Sequence, residues 1–138
     1  MDGVLVSEKL VQALIQEQID SGIAAKNIVL AGFSQGGVLS LFTGLRFSQS
    51  LAGILALSCY LPTADKLPEQ CHSANIATPI LQNHGERDDV VPMSSGKMAN
   101  TLLTAANYKV TWQSYPMEHS VLPEQLTDIS AWLQARLL

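Results

Sequence analysis

The sequence predicts an α/β fold, a mostly parallel sheet with helices on both faces. Short apolar runs of strand length alternate along the chain with segments of helical periodicity, the order that gives parallel sheets with helices packed against them. The apolar runs, among them Ile28 to Ala31 and Ile54 to Leu57, are continuous rather than alternating, as strands covered on both faces require. Finally, 138 residues with 47% hydrophobic content supply material for one core, so residues 1–138 read as a single domain.

Each element has its own signal. Leu10, Val11, Leu14, Ile15 and Ile19 recur at helical spacing between Asp2, a candidate cap, and Gly22, a candidate stop, and predict an amphipathic helix. After Asn27 the run from Ile28 to Ala31 predicts a first strand, and a second helix follows from about Gln35 to Phe47. Ile54 to Ser58 and Pro79 to His84 are expected as strands, Ser94 to Ala106 as a helix, and Lys109 to Tyr115 as the last strand. Pro123 opens the final helix, in which Leu126, Ile129, Trp132, Leu133 and Leu137 form the stripe expected to face the core. The stretch from Leu61 to Thr78, rich in Pro, Asp, Glu and small polar residues, reads as a surface loop with a short helical turn.

Composition excludes several classes of function. A net charge of -4, from 8 basic and 12 acidic residues, offers no basic field for a phosphate backbone or an anionic membrane, so nucleic acid is not an expected partner. The apolar runs are too short for a transmembrane segment. The first ten residues hold Asp2 and Glu8 and no basic start followed by an apolar stretch, so the expected setting is cytoplasmic. Cys59 and Cys71 are too few for a disulfide framework or a zinc site and read as reduced thiols.

In an open parallel sheet, ligands gather beyond the carboxyl ends of the strands. The residues just after the apolar runs include Ser34, Ser58, Asp88 and His119. Gly32-Phe33-Ser34-Gln35-Gly36 matches Gly-X-Ser-X-Gly between a buried strand and a helix, the context of a nucleophile elbow. Such a turn strains the serine backbone, and Gly32 and Gly36 are expected to avoid Cβ clashes with the neighbouring strand and helix. The helix that starts at Gln35 points unpaired N–H groups at the site, which makes the Gln35 N–H the first oxyanion donor.

A serine hydroxyl is a poor nucleophile without a base and a third group that orients the base. The partners of this motif follow in the order Ser, acid, His, which leaves His119, in the loop Pro116-Met117-Glu118-His119-Ser120. His84 is read instead as a structural residue hydrogen-bonded to adjacent loops. The acid should come from the loop after the preceding strand, where Glu86, Asp88 and Asp89 are all candidates by spacing. No metal site is expected, because His84 and these carboxylates are contiguous loop residues without a spaced second histidine.

Four segments, GFSQGG at 32–37, LSCYLP at 57–62, HGERDDVVP at 84–92 and MEHS at 117–120, resemble the carboxylesterase, lysophospholipase and acyl-protein thioesterase family of α/β-hydrolases. The resemblance runs from about Gly3 to the C-terminus. It implies the α/β-hydrolase fold and selects Asp88 as the acid, four residues after the histidine of the His-Gly pair and four before a proline. It also implies that Gln35 donates to the oxyanion and that Tyr60 and Leu61 line the acyl-binding region.

The implied activity is hydrolysis of small-molecule or lipid esters and thioesters with short to medium acyl chains, through an acyl-enzyme on Ser34, with no cofactor or metal. Members of the family carry several strands ahead of the helix that begins here near residue 3, including one whose trailing loop supplies a second oxyanion donor. By that resemblance the chain is an N-terminally truncated hydrolase domain. The edge of its first strand should then be open, with a homodimer expected through it.

Overall fold

The computed structural model describes residues 2–61 and 71–138. Its elements, in order, are α1 (Asp2–Asp20), β1 (Val29–Phe33), α2 (Gln35–Arg46), β2 (Gly53–Leu57), β3 (Pro79–Gly85), α3 (Met93–Ala105), β4 (Lys109–Tyr115) and α4 (Pro123–Leu137). The four strands form one sheet in the order β1-β2-β3-β4, every neighbouring pair parallel. All carboxyl ends therefore lie at the same end of the sheet. Every predicted helix and strand is present, with boundaries within two residues of those expected.

Continuous apolar strands feed two cores because successive side chains point to opposite faces. On one face Ile54, Ala56 and Ile80 pack with Val38, Leu41 and Leu45 of α2 and Ala99 and Leu103 of α3. On the other, Leu55 and Leu81 meet Ile129, Trp132 and Leu133 of α4. A third cluster joins Ile15 of α1 to Ala25, Phe47 and Leu51, and the Glu8–Arg46 ion pair ties α1 to α2 at 2.6 Å. Gly44 lets α2 settle on the sheet, since a Cβ there would meet Ile54 Cδ1 at 2.5 Å.

Two expected stripes are narrower than their apolar residues suggest. On α1 the buried line is Val11, Ile15 and Ile19, whereas Leu10 and Leu14 are 64% and 60% exposed. Residues 11, 15 and 19 share one face at i, i+4 spacing. Leu10 and Leu14 sit on the adjacent ridge, which no described element covers. In α4, Leu126 and Leu137 are likewise exposed while Ile129, Trp132 and Leu133 face the sheet.

The expected loop from Leu61 to Thr78 lies partly outside the described residues, at 62–70. Its second part contains a 3-10 turn at Ser73–Asn75 and is not all surface. Asn75 is fully buried, accepts from Leu51 N and donates to the Phe47 and Gln49 carbonyls, so it closes off loop backbone that would otherwise lack partners.

Candidate active site

Ser34 sits where β1 turns into α2. Its φ of 57° and ψ of -117° lie in a region that costs a non-glycine residue about 1–3 kcal/mol, so its neighbours must hold it there. Two backbone bonds do so: Ser34 N donates to Leu57 O of β2 at 2.8 Å, and Ser34 O accepts from Val38 N at 3.0 Å. The hydroxyl makes no capping bond to the helix. It is turned outward instead.

The glycines around this turn divide the work differently from the sequence reading. A Cβ on Gly32 would collide with the backbone of Gly36, as expected for a tight elbow. At Gly36 a Cβ would meet nothing within 4 Å, so the expected clash at that position is absent. What Gly36 contributes is the backbone against which Gly32 packs. Gly37, which the motif does not single out, is the crowded one, with Cys59 Cβ and Gly32 O each 3.0 Å from a Cβ placed there.

His119 reaches this hydroxyl from the loop between β4 and α4. Its Nε2 lies 3.0 Å from Ser34 Oγ and its Nδ1 2.7 Å from Asp88 Oδ2. Since a carboxylate only accepts, Nδ1 carries the proton and donates to Asp88, which leaves Nε2 to accept from the serine O–H. The other Asp88 oxygen, Oδ1, accepts from Val90 N at 2.9 Å and Val91 N at 2.8 Å. Burial alone would push the Asp88 carboxyl up. The His119 ring N–H, the Val91 and Val90 amides and the His119 charge outweigh it and hold the group below its ordinary value.

Of the three carboxylates left open by spacing, Asp88 alone is buried and bonded to His119. Glu86 is exposed and accepts from Ser114 Oγ, and Asp89 points to solvent. The two loops are laced together by Glu86 N to Tyr115 O, Arg87 N to Met117 O and the Arg87 guanidinium to Pro116 O. Gly85 makes this possible, because a Cβ there would run into the Met117 and Glu118 carbonyls. Phe33, the variable residue of the Gly-X-Ser-X-Gly pattern, places its ring 4.8 Å from that of His119. Nothing in the pattern marks it.

The first-turn N–H groups of α2, beginning with Gln35, have no carbonyl inside the helix to bond. Beside Gln35 opens a cavity of about 330 Å³ lined by Gly3, Val4, Ser7, Gln35, Val38, Leu39 and Tyr60. Tyr60 is 45% exposed on its wall, while Leu61 lies in the core cluster with Val38 and Cys59. Ser58, also at a strand end, is fully buried and away from solvent. Burial pushes the Cys59 thiol up to about 12, which leaves it unreactive. His72 is exposed and accepts from Ala74 N. Among the described residues no group of three His, Cys, Asp or Glu side chains could hold a metal ion, and no helix is long and apolar enough to cross a membrane.

Comparison with known proteins bears on the family and the fold. The phospholipase/carboxylesterase family profile matches residues 2–137. The chain belongs to the phospholipase/carboxylesterase family. An acyl-protein thioesterase 1 of Gibberella zeae is 42% identical over 99% of the chain and 59% of its own length, and its namesake in Neurospora crassa is 44% identical over 98% and 56%. The crystal structure of Arabidopsis thaliana SOBER1 superposes with a TM-score of 0.92 at 32% identity, covering 98% of this chain and 65% of that one. The sheet and helices are thus those of the α/β-hydrolase fold. This family member spans somewhat over half the length of the curated relatives it matches.

Proposed function

We propose that the chain is a serine hydrolase of carboxylic esters or thioesters with short to medium acyl chains. The observation that carries the reading is the unbroken hydrogen-bonded path from Asp88 through His119 to Ser34, at 2.7 and 3.0 Å. In this scheme Ser34 Oγ attacks the acyl carbon while His119 Nε2 takes its proton, and the Gln35 N–H bonds the oxyanion. Collapse expels the alcohol or thiol, which receives that proton from His119. Water, deprotonated by His119, then attacks the acyl-enzyme and releases the acid and Ser34. No cofactor or metal enters.

Tyr60 and the cavity beside Gln35 are the proposed acyl-binding region, with Leu61 supporting it from the core. The name that the fungal relatives carry, acyl-protein thioesterase, favours thioesters among the substrates. A cytoplasmic setting goes with the reading and is supported by the unpaired thiols of Cys59 and Cys71. A second reading, a weakly active homologue serving as an interaction or dimerisation module, draws on the position of β1 at the end of the sheet.

Labelling with a fluorophosphonate tests the first reading against the second. The native chain is expected to label, and Ser34→Ala to lose all labelling while keeping its fold, because Ser34 is the hydroxyl paired with His119. Labelling that persists in the variant removes Ser34 from the scheme.

A further inference from the structure

We infer that His84 is the positioning residue for the acid: its ring N–H grips the Val91 carbonyl and so fixes the turn whose amides hold the Asp88 carboxylate. The inference rests on the assignment of Asp88 in the proposed hydrolase. His84 lies near the end of β3, fully buried, with Nε2 2.7 Å from Val91 O. A carbonyl only accepts, so Nε2 carries the proton. Val91 is thereby held twice, its carbonyl by His84 and its amide on Asp88 Oδ1 at 2.8 Å. The same Nε2 is 3.5 Å from Asp88 Oδ2, too long for a good hydrogen bond. Val91 is therefore the link through which the ring acts.

The ring's surroundings leave it little freedom. Trp112 stacks beside it with ring planes 17° apart. On the α3 side Gly96 provides the space, since a Cβ there would collide with the imidazole. His84 Nδ1 has no hydrogen-bond partner among the described residues, which is a cost that an apolar side chain of similar size would not incur. The one strong bond the ring does make goes to the turn that carries the acid. Catalytic groups lose rate when their support lets them drift, by about 100-fold for a displacement near 1 Å.

The test compares His84→Gln, which keeps an N–H at the Nε2 position, with His84→Leu, which removes it. Two readouts are taken on folded protein, checked by circular dichroism: kcat and KM on a short-chain p-nitrophenyl ester, and the downfield proton resonance of the His119–Asp88 hydrogen bond. His84→Leu is expected to lower kcat by about 10- to 100-fold with KM little changed, and to shift or broaden the resonance. His84→Gln should restore both to near the native values. If His84→Leu does not fold, Gly96→Ala, which displaces the ring without removing it, takes its place and should behave alike.

Native kcat and resonance in the Leu or Ala variant overturn the inference, as does a folded Gln variant as damaged as the Leu variant. A native chain with the resonance but no ester turnover would count against the proposed function alone, because the resonance still reports whether His84 positions the acid.

Discussion

Asp88 and Asp89 are adjacent and chemically identical, yet only Asp88 is buried and bonded to the His119 ring. Asp88→Asn is expected to lower kcat by about 10⁴-fold, since an amide in place of the carboxylate favours the wrong imidazole tautomer, whereas Asp89→Asn should change it by less than about threefold. If the Asp89 variant is the damaged one, the acid has been misassigned. The same carboxylate has a thermodynamic signature. Its folded pKa is depressed, so its contribution to stability is fully present above the unfolded value of about 3.9 and is lost as pH falls through the lower folded value. Asp88→Asn should therefore flatten the loss of stability below about pH 4, as read by thermal melts between pH 2 and 6. An unchanged acid limb would mean that Asp88 is not held as the geometry indicates.

The elements act on the site through a buried polar contact between β3 and α4. Gln125 and Asn83 are both fully buried, Gln125 Nε2 donates to Asn83 Oδ1 at 3.0 Å, and Gln125 Oε1 accepts from Leu122 N at the end of the His119 loop. Gln125→Ala should cost about 1–3 kcal/mol in denaturant unfolding, because it leaves the buried Asn83 Oδ1 without its donor. Adding Asn83→Ala should cost less than the sum of the two single changes. Full additivity would show that the contact carries no energy. Neither residue was legible in the sequence, for a physical reason. Strand and helix existence follow from continuous apolar runs and 3.6-residue periodicity, Gly32 and Ser34 follow from the local geometry of the elbow, and His119 follows from the Ser, acid, His order that goes with this motif. Polar pairs such as Asn83 with Gln125 depend on which helix lands on which face of the sheet, and that is settled only by packing. The same limit explains why Leu126 and Leu137, expected to face the core, are exposed. Periodicity gives the apolar arc of a helix, not how much of it finds a partner. Among Glu86, Asp88 and Asp89 only the family resemblance singles out Asp88, for a related reason: what selects it physically is the close approach at Gly85 and the direction of the Val90 and Val91 amides, which loop position alone does not encode.

At the scale of the molecule, the sheet ends at β1, which pairs with β2 alone among the described residues. Ile28 and Ser34 direct backbone bonds toward β2, through Ile28 O to Ala52 N and Ser34 N to Leu57 O. By the two-residue period of a strand, the N–H and C=O of Ala31 face away from it. Ala31 and Phe33 are exposed, and no charged side chain or proline interrupts Val29–Phe33. Val6, Leu10 and Leu14 add an exposed apolar ridge on α1. An uncharged edge with unpaired backbone groups is a template for another strand, so the chain is expected to self-associate with increasing concentration. Ala31→Pro removes the outward N–H while sparing the bonds to β2, which is where an edge strand tolerates proline. Sedimentation velocity over a range of concentrations should show a native chain that shifts toward dimer or larger species and a variant that stays monomeric with its melting temperature little changed. A native chain that is monomeric throughout, or a folded proline variant that associates equally, would place the contact elsewhere than at β1.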